Sequence, residues 1–182
     1  ETDWNQVMGY ALDCARRCRA GWRGTFHVRR YVEGCLDAHG SLERFSAARG
    51  RLQVVITELL PTPRRRTVTR FSSADSLRSA LLASCAVVPF AGPPVWREGR
   101  LSVDGALSGV QPRLEQQGLD RVVTVNPFFF SRADIHPSRH LPPRWALRPP
   151  GTDDYRASFE LGYQDTLTWN QDNWIPCQPH AS

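Results

Sequence analysis

The chain has 182 residues, 41% of them hydrophobic, and a formal net charge of +5. This length and composition fit one ordinary globular domain with a substantial core, and they exclude a low-complexity segment. The basic balance favours an anionic partner, either phospholipid headgroups or nucleic acid. All 23 basic side chains are arginine, since the sequence contains no lysine, which indicates a coding bias rather than a designed binding surface.

The five cysteines favour free thiols in a reducing, intracellular compartment, because their number is odd and they form no compact framework. Cys14 and Cys18 are four residues apart on a predicted helix and could share a metal, but no histidine lies nearby, so a buried structural role is favoured. The longest apolar stretch, 85–96, contains three prolines and is shorter than the roughly 20 residues of a membrane-spanning helix. No signal-peptide pattern opens the chain, and its first residue, Glu1, suggests a piece of a longer protein.

The first half of the chain predicts two helices followed by two strands. Apolar residues recur at helical spacing before Gly21 and again before Gly40. The run 51–60 is rich in β-branched residues and predicts a strand buried on both faces, as in a parallel sheet covered by helices. After the turn-like PTPRRR, residues 67–71 predict a second strand, antiparallel to the first.

The second half begins with a predicted helix that Ser73 caps and Pro89 stops. Residues 95–103 alternate around Glu98-Gly99, the form of a tight hairpin that leads to Asp104. Residues 119–128 predict another strand, and the region 136–150 is proline-rich, basic and irregular. A last helix, roughly 153–169, places four apolar side chains on one side: Tyr155, Phe159, Tyr163 and Leu167.

Strands separated by helices predict an α/β fold, a three-layer α/β/α sandwich. The near-continuous apolar strands favour a mostly parallel sheet, and the hairpin makes that sheet mixed.

Asp104 stands at the end of an apolar strand and is followed at once by Gly105, which frees the backbone to turn sharply. Two interpretations are open from these residues. Asp-Gly can be a simple turn signal, since both residues favour turns for local reasons. Alternatively, the carboxylate lies at the edge of the sheet, where open α/β sheets build their sites.

The run SADSLRSALLASCAVVPFAGPPVWREGRLSVDGALSGVQP, residues 73–112, resembles the patatin-like phospholipases and acylglycerol lipases. It matches that family's helix, its Pro-Pro segment, its hairpin and its D-G-[GA] motif. Residues 122–138 and 161–169 are similar to the branch that contains adipose triglyceride lipase. The resemblance covers about residues 51–169.

This resemblance implies a serine acyl hydrolase that acts on lipid esters, triacylglycerol or glycerophospholipid, through a Ser-Asp dyad. Asp104, in the motif Asp104-Gly105-Ala106, would be the proton acceptor, and a partly desolvated carboxylate with a raised pKa suits that task. The resemblance implies neither a metal nor an organic cofactor. It implies a lipid ester substrate, at a membrane or lipid-droplet surface, in the cytoplasm or peripheral to the membrane; an activator protein is left open.

The serine nucleophile motif and the oxyanion-stabilising loop of such an enzyme are absent from the sequence. No G-x-S-x-G elbow and no glycine-rich oxyanion loop is present, and Gly105 to Gly109 has its serine in the wrong place. We therefore interpret residues 1–170 as the C-terminal part of a patatin-like domain, incomplete in this chain, with a tail at 171–182. The serine would lie outside the chain, which alone would be inactive. Gln111 stands before Pro112 where the family commonly has asparagine.

The alternative is a non-catalytic patatin-fold module that binds lipid surfaces or regulates a partner lipase. Sequence upstream of Glu1 would discriminate, since a G-x-S-x-G after an apolar strand supports the enzyme and a start codon supports the module.

Three further clusters have competing interpretations. Asp134, His136 and His140 could be drawn as a metal site, but Pro137 breaks the helix that would align the histidines, so a solvated loop is favoured. Arg64 to Arg66 predict a solvated turn or, alternatively, contact with anionic headgroups. Phe128 to Phe130 predict core packing, with one ring left for an acyl channel or lipid. Nucleic acid is not expected, because no RNP-like pattern surrounds these rings.

Overall fold

A computed structural model gives the fold and describes residues 4–20, 28–39, 50–109, 122–146 and 148–173. The chain divides into two compact units, Glu1–Leu114 and Glu115–Ser182. Within the described residues, no helix is long and apolar enough to cross a membrane.

In the described part of the first unit there are three α-helices and a four-stranded sheet. The helices are α1, Trp4–Arg19; α2, Val28–His39; and α3, Ala74–Ser84. The strands are β1, Val54–Glu58; β2, Arg64–Val68; β3, Val95–Arg97; and β4, Arg100–Asp104. The sheet has the order β2-β1-β4-β3, so that β1 and β4 are its central strands. The fold class is therefore α/β.

Every strand pair in this sheet is antiparallel, and the predicted mostly parallel, three-layer arrangement is not confirmed. The continuous apolar run in β1 indicates a buried strand, and four of its five residues are indeed buried. The run carries no information about strand direction. Direction comes instead from the connections. Short turns join β1 to β2 and β3 to β4, and a short turn can join only antiparallel neighbours.

The core lies between the sheet and α3. Val54 and Ile56 point to the same face of β1 and belong to one cluster with Ala80 and Ala83 of α3. The small side chains of α3 let the helix approach the sheet closely. Helix α2 packs on α3, and α1 packs on α2.

Several sequence predictions for the first unit are confirmed. Ser73 caps α3, because its side chain accepts a hydrogen bond from the backbone N–H of Ser76 at 3.1 Å. Glu98 and Gly99 both have positive φ, as a two-residue hairpin turn requires. In α1, Cys18 is buried and Cys14 is half-buried, and burial raises the pKa of both thiols, as expected for structural cysteines.

The second unit contains the helix α4, Thr152–Asp172, which confirms the predicted last helix. None of its residues is buried, and Phe159 and Tyr163 are more than half exposed, at 55% and 53%. The predicted strand at 119–128 is wrong within the described residues, where only an isolated parallel bridge joins Val125 to Ile135. Pro127 lacks a backbone N–H, and the Asn126 side chain accepts the N–H of Phe128 at 2.9 Å, so the chain turns instead of continuing.

Arg64 to Arg66 are wrongly predicted as a solvated turn, because β2 begins at Arg64. Glu58, fully buried on β1, organises this region. Its carboxylate lies 2.9 Å from Arg64 and 2.7 Å from Arg66, with Arg100 at 3.7 Å. Burial alone would raise the pKa of Glu58, but the guanidinium groups outweigh it and hold that pKa below its ordinary value.

We predict that Glu58→Gln lowers the free energy of unfolding by about 2 kcal/mol at pH 7, because charge-assisted hydrogen bonds are lost at a buried position. The pKa of Glu58 is depressed in the fold, so this contribution is complete above the unfolded pKa and fades as the pH falls below about 4. Urea denaturation across this pH range measures the difference.

Asp13→Asn is the matched control, since Asp13 pairs with Arg17 at 2.7 Å but both side chains are exposed, at 41% and 66%. Its loss should stay below about 1 kcal/mol. Equal losses for the two variants, or a Glu58 effect that persists unchanged at pH 3, would contradict this account of the region.

Candidate active site around Asp104

The end of β4 is tied to both neighbouring elements. Asp104 is opposite Ile56 in the register of β1 and β4. Its backbone N–H donates to the carbonyl oxygen of Ala86, just beyond α3, at 3.2 Å. The last residue of the strand is therefore held between the central strand and the end of a helix.

The residues after Asp104 form a short 3₁₀ helix, Gly105–Ser108, that packs on β1. Gly105 is the residue that permits this contact. A Cβ atom at this position would lie 2.6 Å from the carbonyl oxygen of Val55 and 2.9 Å from its Cγ1. The glycine is needed for a close approach of two backbone segments, and no larger residue fits without a shift.

The Asp104 carboxylate is half-buried and caps this 3₁₀ helix, since its Oδ1 accepts the backbone N–H of Ala106 at 2.6 Å. Desolvation by burial raises the pKa of Asp104, and the single hydrogen bond from Ala106 opposes that rise only in part. Burial also raises the pKa of the neighbouring Cys85 thiol, to which the Asp104 charge adds. Asp104 is thus a carboxylate with a stronger affinity for protons than an ordinary aspartate.

A cavity of about 480 Å³ opens beside this carboxylate. Its volume is in the range of small-molecule sites, about 300–1,000 Å³. Among the described residues that line it, Asp104 is the one with an ionisable side chain. The other lining residues are apolar: Leu59, Ala86, Val87, Val88, Val103, Ala106 and Leu107. An apolar cavity with one proton-accepting group suits a ligand that is mostly hydrocarbon and has one reactive polar centre.

All three residues of the predicted Asp104-Gly105-Ala106 motif take part in this site. Asp104 caps the 3₁₀ helix, Gly105 packs closely on β1, and Ala106 lines the cavity. Sequence reasoning missed Thr57, whose hydroxyl lies 2.9 Å from the Asp104 carbonyl oxygen and from the Ser108 hydroxyl. A threonine in a β-branched run has no distinguishing signal, because its role depends on a partner 47 residues away.

The possible metal cluster is not formed. Asp134 instead accepts hydrogen bonds from the backbone N–H and the hydroxyl of Thr124, at 2.7 and 2.5 Å. His136 Nδ1 lies 3.2 Å from the Pro137 carbonyl oxygen. In the parts of the chain that the structure describes, no three potential metal-ligating side chains come together.

The three consecutive phenylalanines lie in a turn rather than in a strand. The rings of Phe128 and Phe130 stack at 5.4 Å, and Phe129 meets His140 edge-on at 6.3 Å. Phe129 and Phe130 are 44% and 74% exposed, so the prediction that only one of the three rings stays outside a core is wrong.

A family model, Patatin-like phospholipase, matches residues 15–113, more than half of the chain. The matched range includes the whole sheet and the residues around Asp104. This chain therefore belongs to the patatin-like phospholipase family, whose members are typically lipid acyl hydrolases. Neither a curated protein nor a solved structure matches it. Gln111, which departs from the family pattern, lies outside the described residues.

We predict that Gly105→Ala destabilises the first unit by about 2 kcal/mol, because the added methyl group overlaps the backbone of Val55. Urea denaturation measures the loss. Gly9→Ala is the matched control in α1, since a Cβ there meets no atom within 4 Å, and it should stabilise by roughly 0.5–1 kcal/mol. A Gly105→Ala protein as stable as the wild type would contradict the close packing described here.

Proposed function

We propose that this protein is a serine acyl hydrolase of lipid esters in which Asp104 is the general base of a Ser-Asp dyad. The observation that carries the proposal is the half-buried Asp104 carboxylate on the wall of an otherwise apolar cavity. Family membership supports the reaction class. The serine is proposed to come from a G-x-S-x-G segment outside these 182 residues, so the chain alone is expected to be inactive.

In the proposed reaction, Asp104 takes the proton of the serine hydroxyl as the oxygen attacks the ester carbonyl, and returns it to the leaving alcohol. A second cycle with water then releases the fatty acid. The raised pKa favours this role, because a carboxylate with a higher proton affinity is a stronger base. No metal or organic cofactor is required for these steps.

The cavity is proposed to hold the acyl chain of the substrate. Its aliphatic walls match hydrocarbon, and burying each CH₂ group contributes about 0.8 kcal/mol. Val88 and Leu107 line the cavity and are still 46% and 67% exposed, which supports binding at a membrane or lipid-droplet surface. Membership of the branch that contains adipose triglyceride lipase is part of the same proposal, as is the choice of triacylglycerol or glycerophospholipid.

We predict that Asp104→Asn, in the protein that contains the nucleophile, lowers kcat for ester hydrolysis by about 10²–10⁴-fold. The amide still accepts the Ala106 N–H, so the fold is kept. Because the pKa of Asp104 is raised in the fold, its charged form is disfavoured there at neutral pH, and the variant should be at least as stable as the wild type. Ester hydrolysis and urea denaturation are measured together.

The same pKa predicts that the acidic limb of kcat/KM in the wild type lies above about 3.9, the ordinary value for aspartate. Asp75→Asn, an exposed position at the start of α3, is the control and should keep wild-type activity. Full turnover by Asp104→Asn would remove Asp104 from the mechanism, whereas a wild-type protein without ester hydrolysis would favour the alternative of a non-catalytic module that binds lipid surfaces.

We predict that Ala106→Leu, which adds three carbons to the cavity wall, lowers kcat/KM for long-chain esters about tenfold more than for short-chain esters. The physical reason is lost space for methylene groups, each worth about 0.8 kcal/mol. A series of p-nitrophenyl esters from two to sixteen carbons, about the range of natural acyl chains, measures the effect. Equal losses at every chain length would place the acyl chain elsewhere.

A further inference from the structure

Thr57 has the least exposed hydroxyl-bearing side chain near the candidate site. It lies on the central strand β1, is fully buried, and pairs with Val103 across the strands. Its Oγ1 lies 2.9 Å from the carbonyl oxygen of Asp104 and 2.9 Å from Oγ of Ser108. The Ser108 hydroxyl in turn lies 3.1 Å from the carbonyl oxygen of Gly105.

These contacts connect the two ends of the 3₁₀ segment 104–108 to one point on β1. The hydroxyl groups of Thr57 and Ser108 have one proton each, so at most two of these three contacts are donated hydrogen bonds at any moment. When Thr57 donates to Asp104, Ser108 can donate either to Thr57 or to Gly105. When Ser108 donates to Thr57, the carbonyl group at the end of β4 and the serine at the end of the segment share the same anchor, and in both arrangements Thr57 holds the Asp104 carbonyl group.

The position of this anchor matters for the carboxylate. Thr57 holds the carbonyl oxygen of Asp104, so it restrains the backbone of the residue that carries the carboxylate. The hydrogen bond from the Ala106 N–H to that carboxylate lies within the segment 104–108 and moves with it. Gly105 sets how close the segment lies to β1, and the Asp104 N–H that donates to Ala86 holds the end of β4. The hydrogen bond from Thr57 adds a directional restraint on the Asp104 carbonyl group and so on the peptide that leads into the segment.

We propose that Thr57 is a positioning residue for Asp104, which holds the segment 104–108 so that the carboxylate stays on the cavity wall. Thr57 itself touches neither substrate nor the reacting atoms. This inference rests on the proposed function of Asp104, and it adds a residue to which the family match assigns no role.

The test compares Thr57→Val, which keeps the shape and loses the hydroxyl, with Thr57→Ser, which keeps the hydroxyl. In the protein that contains the nucleophile, we expect Thr57→Val to lower kcat by at least about tenfold with KM within about twofold, because misplacement by about 1 Å costs up to 10²-fold. Thr57→Ser should restore most of kcat. Ser108→Ala, at an exposed position, should keep the fold and give a smaller loss.

Ser79→Ala is the matched control. Its half-buried hydroxyl donates to the carbonyl oxygen of Ser76 at the same 2.9 Å, but both residues lie within α3 and this hydrogen bond does not hold the segment 104–108. We expect this variant to keep the wild-type kcat. A Ser79→Ala loss as large as that of Thr57→Val, or a Thr57→Ser protein as impaired as Thr57→Val, would overturn the positioning role.

A second readout does not depend on catalysis. When Thr57 no longer holds the Asp104 carbonyl group, the segment shifts and the carboxylate gains water, so its raised pKa should fall towards the ordinary value in Thr57→Val and stay raised in Ser79→Ala. Carboxyl ¹³C NMR titration measures this pKa; Cys85, the ionisable group beside Asp104, is replaced by serine in every sample. An unchanged pKa in Thr57→Val overturns the positioning role, whereas full activity of Asp104→Asn overturns the proposed function alone.

Discussion

The contact between Gly105 and the backbone of Val55 constrains the whole arrangement around Asp104. With a Cβ-to-oxygen separation of 2.6 Å, only glycine lets the chain leave β4 and lie directly on β1. That approach brings the hydroxyls of Ser108 and Thr57 within hydrogen-bond distance and directs the chain back along the cavity wall. A bulkier residue would move the segment away from the sheet and take the carboxylate with it.

Two carboxylates near the same pair of strands show opposite electrostatic behaviour. Glu58 is fully buried, yet three arginines hold its pKa below the ordinary value. Asp104 is only half-buried, but its partner is one backbone N–H, and burial raises its pKa. The Glu58 carboxylate is paired with arginines and stabilises the fold. The Asp104 carboxylate keeps a raised affinity for a proton. A perturbed group of this kind, in a cavity, is a candidate for a functional residue.

Local signals in the sequence predicted local features of the structure. Ser73 was identifiable as a cap and Glu98-Gly99 as a turn because the physical cause lies within a few residues of each. Asp104 was identifiable as a residue at the end of a strand, and the family resemblance, which the family match confirms, singled it out for function.

Features that depend on distant partners were not predictable in the same way. The apolar run of β1 indicates burial but leaves strand direction open, and direction decided between a parallel and an antiparallel sheet. Arg64 and Arg66 are typical of a solvated turn in the sequence, which does not show that both form ion pairs with the buried Glu58 of the neighbouring strand β1. The sequence likewise does not single out Thr57, since its hydrogen-bond partners follow 47 and 51 residues later.

The most direct test of the central claim is the rate at which a fluorophosphonate lipid analogue labels the protein that contains this chain. The probe forms a covalent bond with a serine only when a base activates that serine. The account predicts one labelled serine, outside these 182 residues, and labelling that slows at least about 10²-fold in Asp104→Asn. Labelling at an undiminished rate in that variant would contradict it.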